Sequence, residues 1–244
     1  PQETAIDLDD TTRRAMLKFI SVPWRKIYRR DLVERINLRF PVGDYFFEDN
    51  PFHWASIIGG QRIALVPETL CQHRVARVGQ TMATVDSRLL RIFQHHDNIR
   101  DWLRLHGHDA DYANDLLDWT ANQLSWVSQR AKGPILTELY EVMRPVIDQY
   151  DSQALEAFGN RNGRGRTYQM LTALKAANPE GFVLAAGGQP APRTAGDPIA
   201  MRAAYTSGHV FSGRLNVPAI DYRQYMEPEL DMHNVHQSFA VRER

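Results

Sequence analysis

The sequence predicts an α/β first portion over residues 1–85 that passes into a mainly α-helical extension over residues 86–186, and three observations predict it. Short β-prone runs, Tyr45–Phe47, Arg62–Val66 and Thr69–His73, alternate with helical segments in the first portion. From Asp86 onward Leu89, Leu90, Phe93, Ile99, Trp102 and Leu103 recur at three- and four-residue spacings, the period of one helix face. A stretch rich in Gly, Pro and Ala, residues 187–198, then reads as a linker to the start of a further, truncated domain over residues 199–244.

The elements follow in order. Asp9-Asp10-Thr11-Thr12 supplies capping side chains for a short helix over Arg13–Ile20, and Pro23 interrupts it. A second helix is expected over Tyr28–Asn37, left in extended form at Leu38-Arg39-Phe40-Pro41 because a residue before proline avoids the α region. Val42-Gly43-Asp44 reads as a turn, and Tyr45–Phe47 as an aromatic strand that delivers Glu48-Asp49. Pro51 suits the first position of a helix over Phe52–Gly60. His106-Gly107-His108 breaks the helical run, and further helices are expected over Ala110–Arg130, Ile135–Tyr150, Ser152–Phe158 and Tyr168–Asn178. The basic loop Gly159–Arg166 connects the last two. Phe182–Ala186 reads as one buried strand, Arg214–Asp221 as another, and Leu230–Arg244 as the entry to a helix.

Composition bounds the function. The 244 residues are 43% hydrophobic and 24% charged, ordinary for a globular protein. Lys+Arg and Asp+Glu both number 29, so the whole-chain field argues against generic nucleic-acid binding. The charge is uneven, however: Arg25 to Arg39 holds six basic residues against two acidic ones, an excess suited to phosphate, to an anionic membrane surface, or to plain solvation. Cys71 is the only cysteine, which excludes an internal disulfide. No apolar run approaches the roughly 20 residues of a membrane span. Pro1-Gln2-Glu3-Thr4 has no initiator Met or signal pattern and Ala240–Arg244 stops within a helical pattern, so the chain reads as a piece of a longer protein.

Glu48-Asp49 is the sharpest chemical feature. Two adjacent carboxylates at a strand-to-helix junction sit where a helix N-terminus stabilises negative charge, which keeps an aspartate ionised and able to act as a base. The plainer alternative is a capping aspartate with a helical role only.

Trp24-Arg25-Lys26-Ile27-Tyr28-Arg29-Arg30-Asp31, then Leu38-Arg39-Phe40-Pro41, then Phe47-Glu48-Asp49-Asn50-Pro51-Phe52 occur in that order, and Cys71-Gln72-His73-Arg74 and Arg77-Val78-Gly79-Gln80-Thr81 follow. Over Ser21–Met82 this resembles the C-terminal part of the family 2 glycosyltransferase domain. The resemblance implies a partial GT-A (Rossmann-like) domain that lacks its N-terminal nucleotide-binding half. It implies inverting transfer of a sugar from a nucleotide-sugar donor to a hydroxyl of a glycan or lipid-linked acceptor, in polysaccharide biosynthesis. Asp49 would be the general base and Glu48 would orient base or acceptor. Trp24 and Lys26 would line the acceptor cleft. Arg74, Arg77, Gln80 and Thr81 would face the donor pyrophosphate, a role suited to the planar arginine fork. His73 would complete a site for a divalent metal, Mn or Mg. A cytoplasmic location, with peripheral contact at the inner face of the membrane, is the matching expectation.

The sequence departs from that pattern in one respect. Asp7-Leu8-Asp9-Asp10 fits the D-x-D metal motif superficially, but no apolar strand precedes it and capping the Arg13 helix is the better account. The donor half and its D-x-D ligands are therefore read as absent. His53 reads as a helix-surface histidine, and His95-His96 and His106-x-His108 as exposed. His233-Asn234-Val235-His236 has no evident third metal ligand, and Gly163-Arg164-Gly165-Arg166 follows no strand as a phosphate loop should. The competing function is a non-catalytic helical interaction module, with the aromatics from Phe93 to Trp126 packing partners and Glu48-Asp49 serving as a cap.

Overall fold

The computed structural model describes residues 5–43, 46–72, 74 and 86–188. The chain divides into two units, Pro1–Gln189 and Pro190–Arg244. The readings at Arg214–Asp221, Leu230–Arg244 and His233-x-x-His236 fall outside the described residues.

Asp9 caps the first helix, α1 (Asp10–Leu17), by accepting the Thr12 amide at 2.7 Å, while Asp7 pairs with Arg62 and Asp10 with Arg13. A 3-10 turn over Pro23–Arg25 leads to α2 (Arg30–Arg35), and α3 runs over Asp49–Gly59. A 3-10 stretch, Ser87–Phe93, continues into α4 (Gln94–Leu105), which Gly107 ends by taking φ +75°. Then come α5 (Asp109–Ser128), α6 (Pro134–Asp148), α7 (Ser152–Asn162), α8 (Arg166–Lys175) and α9 (Pro179–Ala185).

The expected partial GT-A, Rossmann-like α/β domain is overturned by this architecture. The described residues are mainly helical, and their strands are β1 (Ala5–Asp7) and β2 (Arg62–Ala64), antiparallel with Ile6 opposite Ile63. A Rossmann sheet is parallel, needs crossover helices, and buries its strands on both faces. Here each strand is three residues long with exposed ends, a surface ribbon and not a sheet core.

The remaining strand readings fail for local reasons. Phe46 and Phe47 form a bend, with Phe47 at φ +66°, a left-handed value that ends any strand. Tyr45 and His73 lie outside the described residues, and Thr69–Gln72 is irregular. Phe182–Ala186 belongs to a helix because Asn178 caps it, accepting the Gly181 amide at 2.9 Å, and Pro179 occupies its first turn.

One apolar cluster runs from Leu8 to Ala186 and includes Trp54, Phe93, Leu103, Leu124, Met143 and Phe182, each at most 2% exposed. Burial of side chains of this size contributes about 2 kcal/mol each before entropy is counted. Helix α3 packs against α1, α2 and α4, and its residues Phe52–Ile58 are all buried. A smaller cluster of Leu38, Phe52 and Ala55 lies against Tyr28, Val33, Ile36 and Trp102. Helix α3 thus belongs to both clusters, and its buried body fixes where its first turn can point.

Candidate functional site

The first turn of α3 gathers the polar groups. The left-handed Phe47 turns the chain so that α3 opens at Asp49, two residues ahead of the expected start, and the Phe47 carbonyl accepts both the Asn50 amide at 3.1 Å and Asn50 Nδ2 at 3.0 Å. Asn50, 8% exposed, is the fixed point of the site. Its Oδ1 accepts Ser21 Oγ at 3.2 Å and Trp119 Nε1 of α5 at 3.3 Å, and its Nδ2 donates to Asp49 Oδ1 at 3.1 Å. A single amide therefore ties the segment after α1, the start of α3 and the middle of α5 together.

Asp49 is half-buried and Glu48 exposed. Burial raises the Asp49 pKa above the ordinary carboxylate value and the Glu48 charge adds to this, while the Lys26 cation and the Ser21 hydroxyl work against it. The helix N-terminus thus does not hold this carboxyl at a low pKa, contrary to the sequence argument. A carboxylate with a raised pKa is the more basic one and the better proton acceptor. Lys26 is half-buried, donates from Nζ to the Ile20 carbonyl at 2.9 Å, and has its pKa lowered to about 8, chiefly by burial, with Asp49 opposing the shift. Trp24 lies between Ser21 and Lys26 in the chain, is 45% exposed, and has the Arg25 guanidinium 5.0 Å from its ring centroid. An exposed indole, an ammonium and a basic carboxylate at one helix end can bind a polar ring and remove a proton from it.

Three of the residues singled out in the sequence, Lys26, Glu48 and Asp49, therefore interact at the first turn of α3, and Trp24 lies in the Ser21–Lys26 stretch that Ser21 ties to Asn50. Arg74 is exposed, and Arg77, Gln80, Thr81 and His73 lie outside the described residues. Among the described residues no group of three or more His, Cys, Asp or Glu side chains could hold a metal ion. Two carboxylates beside a lysine, Glu48 and Asp49 with Lys26, do not suit a divalent ion.

Several buried polar groups are legible only in three dimensions. His53 is 2% exposed, not on the helix surface; its Nε2 donates to the Met16 carbonyl at 3.1 Å, which leaves Nδ1 without a hydrogen-bond partner among the described residues. Burial, then the Lys26 charge, lowers its pKa to about 4. His95 and His96 are each 0% exposed, against the reading of both as solvated. His95 Nε2 donates to the Phe46 carbonyl at 2.7 Å and so secures the turn before Glu48. His96 bridges Asp97 Oδ1 at 2.9 Å and the Tyr150 hydroxyl at 2.7 Å, and so ties α4 to the residues after α6. The signal for His53 was its place in the Phe52–Ile58 run, where a fully buried helix leaves no polar face. For His95 and His96 the signal was their place on the buried spacing, three and four residues after Ile92 and four and three before Ile99.

The aromatics offered to partners by the competing reading serve this unit's own packing. Phe93 is 1% exposed, Trp119 donates to Asn50, Trp126 meets Phe47 edge-on at 5.8 Å, and Trp102 stacks on His106 at 4.0 Å. No helix among the described residues is long and apolar enough to cross a membrane.

Comparison with known proteins relates part of the chain to glycosyltransferases. Over 57 residues, 23% of this chain, it is 39% identical to the uncharacterized glycosyltransferase EpsJ of Bacillus subtilis (strain 168), and the match spans 17% of that protein's length. Residues 167–244 match the model of a tannase-like family of unknown function (DUF6351), which takes in α8, α9 and the second unit. No solved structure matches.

Proposed function

We propose that this chain carries the acceptor-side, proton-abstracting part of an inverting glycosyltransferase related to family 2, with Asp49 as general base. The observation that supports the reading is the half-buried Asp49 carboxylate at the first turn of α3, held by Asn50 and acting electrostatically with Lys26. The 39% identity to a glycosyltransferase over 57 residues supports the reaction class. In an inverting transfer the acceptor hydroxyl attacks the anomeric carbon from the face opposite the leaving nucleoside diphosphate. One base must take the hydroxyl proton as the new bond forms.

Asp49 is suited to this. Its carboxylate is half-buried, which makes it a stronger base than a solvated aspartate, and Asn50 orients it from one side. Lys26 supplies a cation that favours the ionised form of Asp49, and Trp24 offers a flat apolar face for a sugar ring. Glu48 orients the acceptor through its exposed carboxylate. Arg74, with Arg77, Gln80 and Thr81, belongs to the donor side, and the reaction uses a divalent ion, Mn or Mg, to which no described residue is assigned. The acceptor is a hydroxyl of a glycan or lipid-linked glycan, and the setting is polysaccharide assembly on the cytoplasmic side.

The test uses the complete gene product and a panel of radiolabelled nucleotide sugars with Mn²⁺ and Mg²⁺. Asp49→Asn keeps the size and hydrogen-bonding reach of the side chain and removes the base. Transfer should fall by about a hundredfold or more with an unchanged far-ultraviolet spectrum. Turnover at the wild-type rate would remove Asp49 from the mechanism.

A further inference from the structure

Six large apolar side chains stand exposed in the segment that leads from α1 to the turn before α3: Phe19 at 50%, Ile20 at 56%, Trp24 at 45%, Ile27 at 98%, Phe40 at 41% and Val42 at 97%. Such side chains in one short segment are not the scatter that an ordinary surface carries. The segment is pinned at several points to one place. Ser21 bonds Asn50, Lys26 bonds the Ile20 carbonyl, and Phe40 stacks on Phe52 of α3 at 4.1 Å while Tyr28 meets the same ring edge-on at 5.1 Å. The segment that carries the apolar side chains is therefore anchored to α3 at Asn50 and Phe52.

They are interleaved with charge of one sign. From Lys18 to Arg39 there are seven basic and two acidic residues, which leaves 22 basic and 27 acidic residues in the rest of the chain. The two acids are engaged locally, Asp31 with Arg29 at 3.1 Å and Glu34 with Arg30 at 2.7 Å, and the side chains of both arginines stay 85% and 90% exposed. A protein partner that covered this face would have to desolvate several guanidinium groups for a few aliphatic contacts. An anionic bilayer does the reverse, since aliphatic and indole groups enter at headgroup depth while Arg and Lys remain among lipid phosphates.

We propose that the surface formed by residues 18–42 docks on an anionic lipid bilayer, with Ile27 and Val42 as the inserting side chains and the arginines as the lipid-phosphate contacts. Docking would bring the first turn of α3 to the headgroup layer, and on the transferase reading this selects a lipid-linked acceptor over a free glycan.

The experiment is co-sedimentation of the complete gene product with vesicles, and it needs no sugar turnover. Vesicles of phosphatidylcholine with phosphatidylglycerol should carry the protein down, vesicles of phosphatidylcholine alone should not, and added salt should release it. Ile27→Asp with Val42→Asp should weaken partition at least about tenfold, and Arg29→Glu with Arg30→Glu should do the same through charge alone, which keeps the test open if either pair folds poorly. A protein that ignores phosphatidylglycerol vesicles overturns the proposal. So does a concentration-dependent dimer in lipid-free buffer that the Ile27 and Val42 substitutions abolish, since the face would then be a contact between copies. Neither outcome bears on Asp49, whose role is read from transfer to a water-soluble acceptor.

Discussion

Lys26 and Asp49 oppose each other's burial. Each is made harder to ionise by loss of solvent, and each lowers that cost for the other. Lys26→Met removes the cation and keeps the stem, so the Asp49 carboxyl should titrate at higher pH than in the native protein. A ¹³C carboxyl titration checks this, and an unmoved Asp49 would mean that Lys26 acts only on bound substrate. His53 gives a second prediction. Its pKa is lowered to about 4 in the folded chain from an ordinary 6.5. The unfolded chain therefore takes up this proton first, and stability falls as pH drops from about 6.5 to about 4, by about 3 kcal/mol in all. Burial also lowers His95 and His96, which steepens the same acid limb. His53→Gln should flatten that limb in denaturant midpoints measured against pH. An identical slope would move the acid sensitivity to the other two histidines.

Helices announced by long three- and four-residue apolar spacing were legible element by element: α5, α6 and α7 lie where Leu116, Leu124, Leu139, Met143 and Leu155 put them. Short apolar runs were not. Phe182–Ala186 has no period that separates strand from helix, and what decides it is the Asn178-Pro179 start, a capping side chain followed by a first-turn proline. Tyr45–Phe47 misled in the same way, because aromatic β-propensity describes a half-buried pleated surface. Here Phe47 sits in a left-handed turn against Trp126, and its carbonyl serves Asn50. The α9 assignment carries a stability prediction. Phe182 is 0% exposed and meets Tyr140 edge-on at 5.6 Å, so Phe182→Ala should cost about 3 to 5 kcal/mol. Amide exchange would report the loss in α8 and α9 first, since the two helices pack on each other. A loss below about 1 kcal/mol would show that α9 is not docked as described.

At the scale of the molecule, the α/β expectation came from the short runs Tyr45–Phe47, Arg62–Val66 and Thr69–His73 together with the order of motifs around Glu48-Asp49, and none of those runs has the length and buried character of a parallel strand. Motif order located the first turn of α3 and missed what surrounds it. Asn50, the amide that joins three segments, sits between an acid and a proline in sequence and has no pattern of its own. Those long-range ties also decide whether the site can exist apart from the helices beyond residue 86. Trp119 of α5 bonds Asn50, His95 of α4 holds the Phe46 carbonyl, Arg14 of α1 pairs with Asp115 of α5, and one apolar cluster runs from Leu8 to Ala186. A unit joined this way should open all at once, because freeing α1 to α3 would strand buried polar groups on α4 and α5. All five tryptophans precede residue 189, with Trp54 on α3 and Trp119 and Trp126 on α5, so their fluorescence follows this unit alone. In urea the fluorescence transition should coincide with the loss of exchange protection in α3, α6 and α8. If α3 loses protection at lower urea than α6, the first 60 residues form a separate layer. The geometry around Asp49 would then be set by α3 itself and not by the helices behind it.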